Sequence, residues 1–219
     1  MTGAPPTPEV ALGARPATTY AAGSAAFTVV LSMAIAATAL AIDSLLPAFP
    51  EIREHLGLAP GATSVAGLVT AFLVGNGLGL VPAGLLADRF GRRQVMWGGL
   101  ALYVLGAVGS VFAPTLGTML VARFVWGLGA AGPRVAAMAI VRDVYSGDQM
   151  ARQMSLIMSV FILVPTVAPA LGAGLIAIGP WHLVFWLCAV AGALVLVASL
   201  RLPSTIAPED LRTLSLTDI

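Results

Sequence analysis

Gly84-Leu-Leu-Ala-Asp88-Arg89-Phe90-Gly91-Arg92-Arg93-Gln-Val-Met96 is a short basic turn set between two long apolar runs. The runs on either side must enter lipid, so the turn lies at the membrane edge and its arginines decide which side it faces. Gly91 permits the tight reversal. Asp88 lies beside Arg89, Arg92 and Arg93 in a compact charge cluster. An acid there suits the positive N-terminus of a neighbouring helix, as a latch that one conformation makes and another breaks.

Outward from the turn, the chain stays apolar. Of its 219 residues 58% are hydrophobic and 10% charged, and the mean hydropathy is +0.95. A soluble domain of this length cannot hide that much apolar surface, so lipid must be the solvent. Six apolar stretches, at 24–46, 65–86, 95–113, 116–141, 154–178 and 181–200, are each long enough to cross ~30 Å of hydrocarbon. A β-barrel would show short alternating segments instead. The expected fold is an all-α membrane protein, a six-helix transmembrane bundle at 24–200. Residues 1–23 read as a disordered cytosolic tail, rich in Pro, Ala and Thr, without the basic-then-apolar order of a cleaved signal. Residues 201–219 read as the start of a cytosolic linker.

Net charge is only +1, but in a membrane chain placement matters more than the total. With the N-terminus inside, Arg15, Arg89, Arg92, Arg93, Arg142, Arg152, Arg201 and Arg212 are cytoplasmic, and the outer loops hold only Arg53. The even number of spans then puts both termini in the cytoplasm. Pro47 and Pro50 end the first span, and the longest outer loop, at 47–64, carries Glu51, Arg53, Glu54 and His55. Lone Cys188 lies in an apolar run, and no Cys/His cluster has metal-ligand spacing. Neither a metal nor a cofactor is expected.

Few residues inside the spans carry chemistry. Asp43 lies near the outer end of the first span, where an ionised carboxylate needs a partner or a water-filled cavity. Desolvation favours its neutral form and a nearby cation its charged form, and a carboxyl balanced between the two can take and release a proton. Alternatively Asp43 is hydrated at the interface and merely ends its helix. Arg123 is its natural partner. It lies ~10 Å inside the fourth span, and the two depths differ by only ~6 Å at the helical rise. Arg134 is eleven residues further on, on nearly the same face, where it either serves the same cavity or snorkels. Trp126 is deep enough to line a cavity. Gly75, Gly79 and Gly84 in the second span form a close-packing surface. In the fifth, Pro165 and Pro169 remove backbone hydrogen bonds while Ala168 and Gly172 admit a neighbour.

At several separate places the chain resembles the major facilitator superfamily. The turn from Gly84 to Arg93 is similar to that superfamily's signature between its second and third helices, nearly complete. Arg123-Phe-Val-Trp126-Gly127-Leu-Gly129 resembles its fourth-helix motif, whose Arg is linked to proton coupling; Trp126 stands where Gln is usual. Ala168-Pro169-Ala-Leu-Gly172-Ala173 is similar to the antiporter motif of the fifth helix, with Ala168 and Ala173 where Gly is expected. Asp43-Ser-Leu-Leu-Pro47-Ala-Phe-Pro50, Val141-Arg142-Asp143 and Arg201-Leu-Pro203 resemble the bicyclomycin/chloramphenicol-resistance type of exporter, although His182 follows Trp181 where that group has Arg. The resemblance implies proton-driven export of small amphipathic compounds, with Asp43 and Arg123 as the coupling pair. It also implies a partner. The superfamily uses two six-helix bundles of about twelve helices in all, and this chain supplies the first. The second is a C-terminal half or another copy.

Other classes fare worse. A six-helix remnant that assembles without transporting remains a competing reading. An intramembrane hydrolase needs a nucleophile and partner at membrane depth, yet His55 and His182 lie in or beside outer loops. No phosphate-cradling loop is present, so ATP does not drive the chain directly, and nothing points to nucleic acid. The implied partners are the bilayer, protons, a small amphipathic substrate and the second bundle, in a cell membrane.

Overall fold

The computed structural model describes Tyr20, residues 24–59 and residues 61–202. The expected tail and linker therefore lie outside the described residues, except Tyr20, Arg201 and Leu202 at their edges. Among the described residues the chain is helical throughout, with α1 Ala25–Asp43, α2 Phe49–His55, α3 Gly67–Phe90, α4 Arg92–Val111, α5 Leu116–Val144, α6 Gly147–Ile178 and α7 His182–Ser199. Among the described residues six helical segments are long and apolar enough to cross a membrane; α1 and α2 belong to one of them. The chain is a multi-pass membrane protein.

The helix ends follow local chemistry. Ser24 caps α1 by accepting from the Phe27 N–H at 3.2 Å. Thr115 and Thr118 form a reciprocal capping box at the start of α5. Gly91, at φ 98°, makes the reversal between α3 and α4, a conformation that a side chain disfavours. Interior prolines at 82, 133, 165 and 169 do not break their helices, as membrane helices allow.

Two boundaries differ from the sequence reading. Residues 47–64 are not simply loop: a 3₁₀ turn at Leu46–Ala48 leads into α2. Pro47 and Pro50, read from sequence as helix stops, occupy first-turn positions where Pro has no N–H to lose. Helix α6 also starts seven residues before the apolar run, at Gly147 rather than 154, because polar helix formers such as Gln149 and Arg152 extend it beyond the lipid.

Helix α5 is central, packing against α3, α4 and α1; α1 in turn touches α6 and α7, and α4 touches α7. The close pairs use glycine. A Cβ at Gly75 would fall on the Phe124 carbonyl and one at Gly127 on the Phe72 carbonyl, so α3 and α5 meet backbone to backbone. Asn76 seals that seam with a 3.4 Å bond from Nδ2 to the Gly127 carbonyl. Helix α6 touches α1 in the same way, through Gly172 against the Ser44 carbonyl. Lipid gives no hydrophobic drive between helices, so close packing of small residues has to supply the attraction.

Candidate functional site

The last two turns of α1 gather polar side chains from three other helices. Helix α1 stops at Asp43, and the Leu45 N–H bonds back to Ile42 instead of to Ala41. The Ala41 carbonyl is thus one of the orphans of a helix C-terminus. Both terminal nitrogens of Arg123, on α5, donate to it at 3.1 Å. A cation there also faces the negative end of the α1 dipole. One turn earlier, Tyr103 on α4 donates its hydroxyl to the Ala37 carbonyl at 2.9 Å. Ser44 bonds the Leu40 carbonyl at 2.6 Å, and its hydroxyl lies 3.6 Å from the Cys188 sulfur on α7.

Arg123 is fully buried. Its guanidinium lies 4.7 Å from the Trp126 ring, 5.4 Å from Phe72 and 5.7 Å from Phe185. Placing an Arg at membrane depth costs about 3 kcal/mol or more. A charged hydrogen bond returns about 1.5–3 kcal/mol and each favourable ring about 0.5–2 kcal/mol. The two sides are of the same size, so this charge is tolerated without a carboxylate.

That differs from the expected ion pair. Among the described residues the salt bridges join Arg92 to Asp88 and to Asp143, and none joins Arg123 to Asp43. Asp43 is half-buried, two residues past the carbonyl that Arg123 holds. Depth matching put the two side chains at one level, but the break in α1 offered Arg123 a backbone acceptor instead. Trp126, expected to line a cavity, is packed inside the bundle. It is 1% exposed and packed edge-on against Phe72 and Tyr103 and obliquely against Phe185. Arg134 is exposed and makes no ion pair or hydrogen bond among the described residues, so it does not join Arg123. Tyr103 was missed, although a polar-tipped aromatic at the depth of Arg123 was a usable signal.

At the other end of the bundle, Asp88 pairs with Arg92, and Arg92 reaches Asp143 at the end of α5 with 3.5 Å between Nε and Oδ2. Arg93 donates to the Leu200 carbonyl at 2.5 Å, just beyond α7, and its guanidinium lies 4.3 Å from the Trp97 ring. The basic turn therefore fastens the ends of α5 and α7. Gly84 faces open space, where a Cβ would meet nothing. In the α6 motif, Ala168 and Gly172 are buried, Pro165 is exposed and Pro169 partly so.

The profile of the Major Facilitator Superfamily matches residues 21–215. The chain belongs to the Major Facilitator Superfamily. It is 34% identical over 173 residues to the uncharacterized MFS-type transporter YdgK of Bacillus subtilis, covering 78% of this chain and 42% of that protein. It is 34% identical to the multidrug resistance protein MdtL of Escherichia coli, covering 73% of this chain and 40% of that one. The bicyclomycin resistance protein homolog of Haemophilus influenzae is 33% identical over 70% of this chain and 38% of its own. The chain thus spans about two fifths of the length of these relatives. Among solved structures, the proton:xylose symporter XylE superposes with a TM-score of 0.74 at 14% identity, over 82% of this chain and 45% of that one. The human organic anion transporter MFSD10 superposes with a TM-score of 0.68 at 21% identity, over 88% and 51%. Both share the fold.

Proposed function

We propose that this chain is one six-helix half of a proton-coupled secondary transporter that exports small drug-like compounds in exchange for protons. The drug-resistance relatives support the substrate class. It moves its substrate unchanged and is not an enzyme. The observation that carries the coupling is the placement of Arg123: a buried cation on an orphan carbonyl, two residues from a carboxyl that makes no ion pair among the described residues.

The two acceptors, the Ala41 carbonyl and the Asp43 carboxylate, compete for one guanidinium. With Asp43 protonated, the carbonyl holds Arg123 as seen here. Once Asp43 ionises, its charge is the stronger acceptor, and Arg123 moves toward it and releases the end of α1. Proton loss is thereby converted into movement at the outer end of α1, beside Gly172 of α6. Asp88, Arg92 and Asp143 act as the latch at the cytoplasmic end.

A second bundle completes the protein, either a C-terminal half or another copy. Helices α3 and α6 turn large apolar side chains outward, Val81 being 71% and Ile162 68% exposed. A module that assembles without transporting is the competing reading.

The test uses the protein paired with its second bundle. Asp43→Asn keeps the shape and removes the titration. It is expected to abolish uphill efflux while substrate still binds, with binding no longer dependent on pH. Wild-type pumping with unchanged pH dependence in this variant would place the coupling acid elsewhere. Efflux lost with pH-dependent binding intact would make Asp43 structural.

A further inference from the structure

A cavity of about 410 Å³ opens on the bundle away from the Asp43 end, between α3, α4 and the second half of α5. Its inner end is set by Gly79, Leu102 and Leu128, and its mouth by Phe90 and Gln94. Gln94 is the one polar side chain among its lining residues. Along α3 the groove runs from Gly79 to Phe90, ~16 Å at the helical rise. That is the depth of one leaflet of a ~30 Å hydrocarbon core.

At the mouth stands a cation with no acid partner among the described residues. Of the arginines in the basic turn, Arg92 is engaged by Asp88 and Asp143, and Arg93 by the Leu200 carbonyl. Arg89 is exposed, and among the described residues it makes no ion pair or hydrogen bond. Its guanidinium lies 5.2 Å from the ring of Phe90, the residue that forms the lip. The groove is apolar for the length of a leaflet and ends beneath an unneutralised guanidinium.

We propose that this groove is a site for an anionic phospholipid. One acyl chain lies along Ala83, Leu86 and Gly98, and the phosphate pairs with Arg89 at the mouth. The fit is to charge as well as shape. A zwitterionic lipid brings its own cation to Arg89, whereas an anionic headgroup leaves the guanidinium the nearest positive charge. Since the lipid would span α3, α4 and α5 beside the Asp88–Arg92–Asp143 chain, it would brace the turn that fastens these helices.

The test is native mass spectrometry of the chain released from bilayers of equal phosphatidylglycerol and phosphatidylcholine. Phosphatidylglycerol adducts are expected to exceed phosphatidylcholine adducts by about fivefold, the factor for one basic residue near an anionic headgroup. Arg89→Gln should bring that ratio close to one. Gly98→Leu should remove both adducts, because its Cβ would meet nothing and the larger side chain would fill the groove without disturbing the helices. Arg142→Gln, which removes an exposed arginine already bonded to the Met138 carbonyl, should leave the ratio unchanged. Equal adducts on the unaltered chain would overturn the proposal, as would a preference that survives Arg89→Gln. Adducts that survive Gly98→Leu would place the lipid on another surface.

Discussion

Helices α5 and α6 are similar in length, yet they occupy opposite environments. The most apolar stretch of α5 has a hydropathy of 1.5 and is 67% buried; that of α6 has a hydropathy of 2.1 and is 11% buried. The more apolar helix is the more exposed. In water this order would be reversed, because apolar area would drive burial. In lipid it is set by what lets backbones approach and by polar groups that need partners. Helix α5 buries Gly127, Gly129, Gly132, Ala136 and Arg123. Helix α6 buries only Ile157, Ala168 and Gly172, and turns Leu163 and Ile178 outward. Small residues thus decide which helix lies at the centre of this protein, and the aromatic rings of Phe72, Tyr103, Trp126 and Phe185 fill the space around its buried arginine.

The sharpest way to break this contrast is to put bulk into the α3–α5 seam. At Gly127 a side chain would meet backbone atoms of Phe72 and Asn76, which have nowhere to move. Gly127→Leu is expected to cost more than about 3 kcal/mol, the upper end for overpacking. The check is loss of a monodisperse, folded peak in detergent.

A matched pair on α6 tests the same idea on the exposed helix. A Cβ at Gly172 would fall on the Ser44 carbonyl, whereas one at Gly174 would meet nothing within 4 Å. Gly172→Ala should lower thermal stability by about 1–3 kcal/mol. Gly174→Ala should be neutral or stabilise by up to about 1 kcal/mol through helix propensity. Equal effects in melting curves would mean that α6 is not held to α1 by close approach.

The smallest effect belongs to the outward face. Ile162 is 68% and Leu163 60% exposed. Replacing either by Ala should change the melting of the lone bundle by no more than about 0.5 kcal/mol. If a second bundle covers this face, the same changes should weaken its association in pull-down. A destabilised lone bundle would show that the face is internal.

The spans and the basic turn were legible in sequence because lipid thickness demands long apolar runs and arginine marks their ends. Arg123 stood out for the cost of its charge. What it touches did not, because its acceptor is a backbone carbonyl exposed by a helix break, and carbonyls carry no sequence signature. Helix α2 was missed since seven residues show no helical period and Pro47 and Pro50 resemble stops as much as starts. The Arg92–Asp143 contact brings together residues far apart in sequence, which only packing could reveal. The outward side of α6 was equally hidden, as an all-apolar helix does not say which face meets protein.

The coupling scheme makes Arg123 move when Asp43 ionises, and Trp126, with its ring 4.7 Å from that guanidinium, is a built-in reporter. With Trp97, Trp181 and Trp186 replaced by Phe, the remaining tryptophan emission can be followed as pH is raised. The account predicts one transition as the carboxyl ionises and Arg123 leaves the ring for Asp43, and no transition in Asp43→Asn. A transition that persists unchanged in Asp43→Asn, or none in the parent protein, would contradict the claim that this carboxyl controls the arginine.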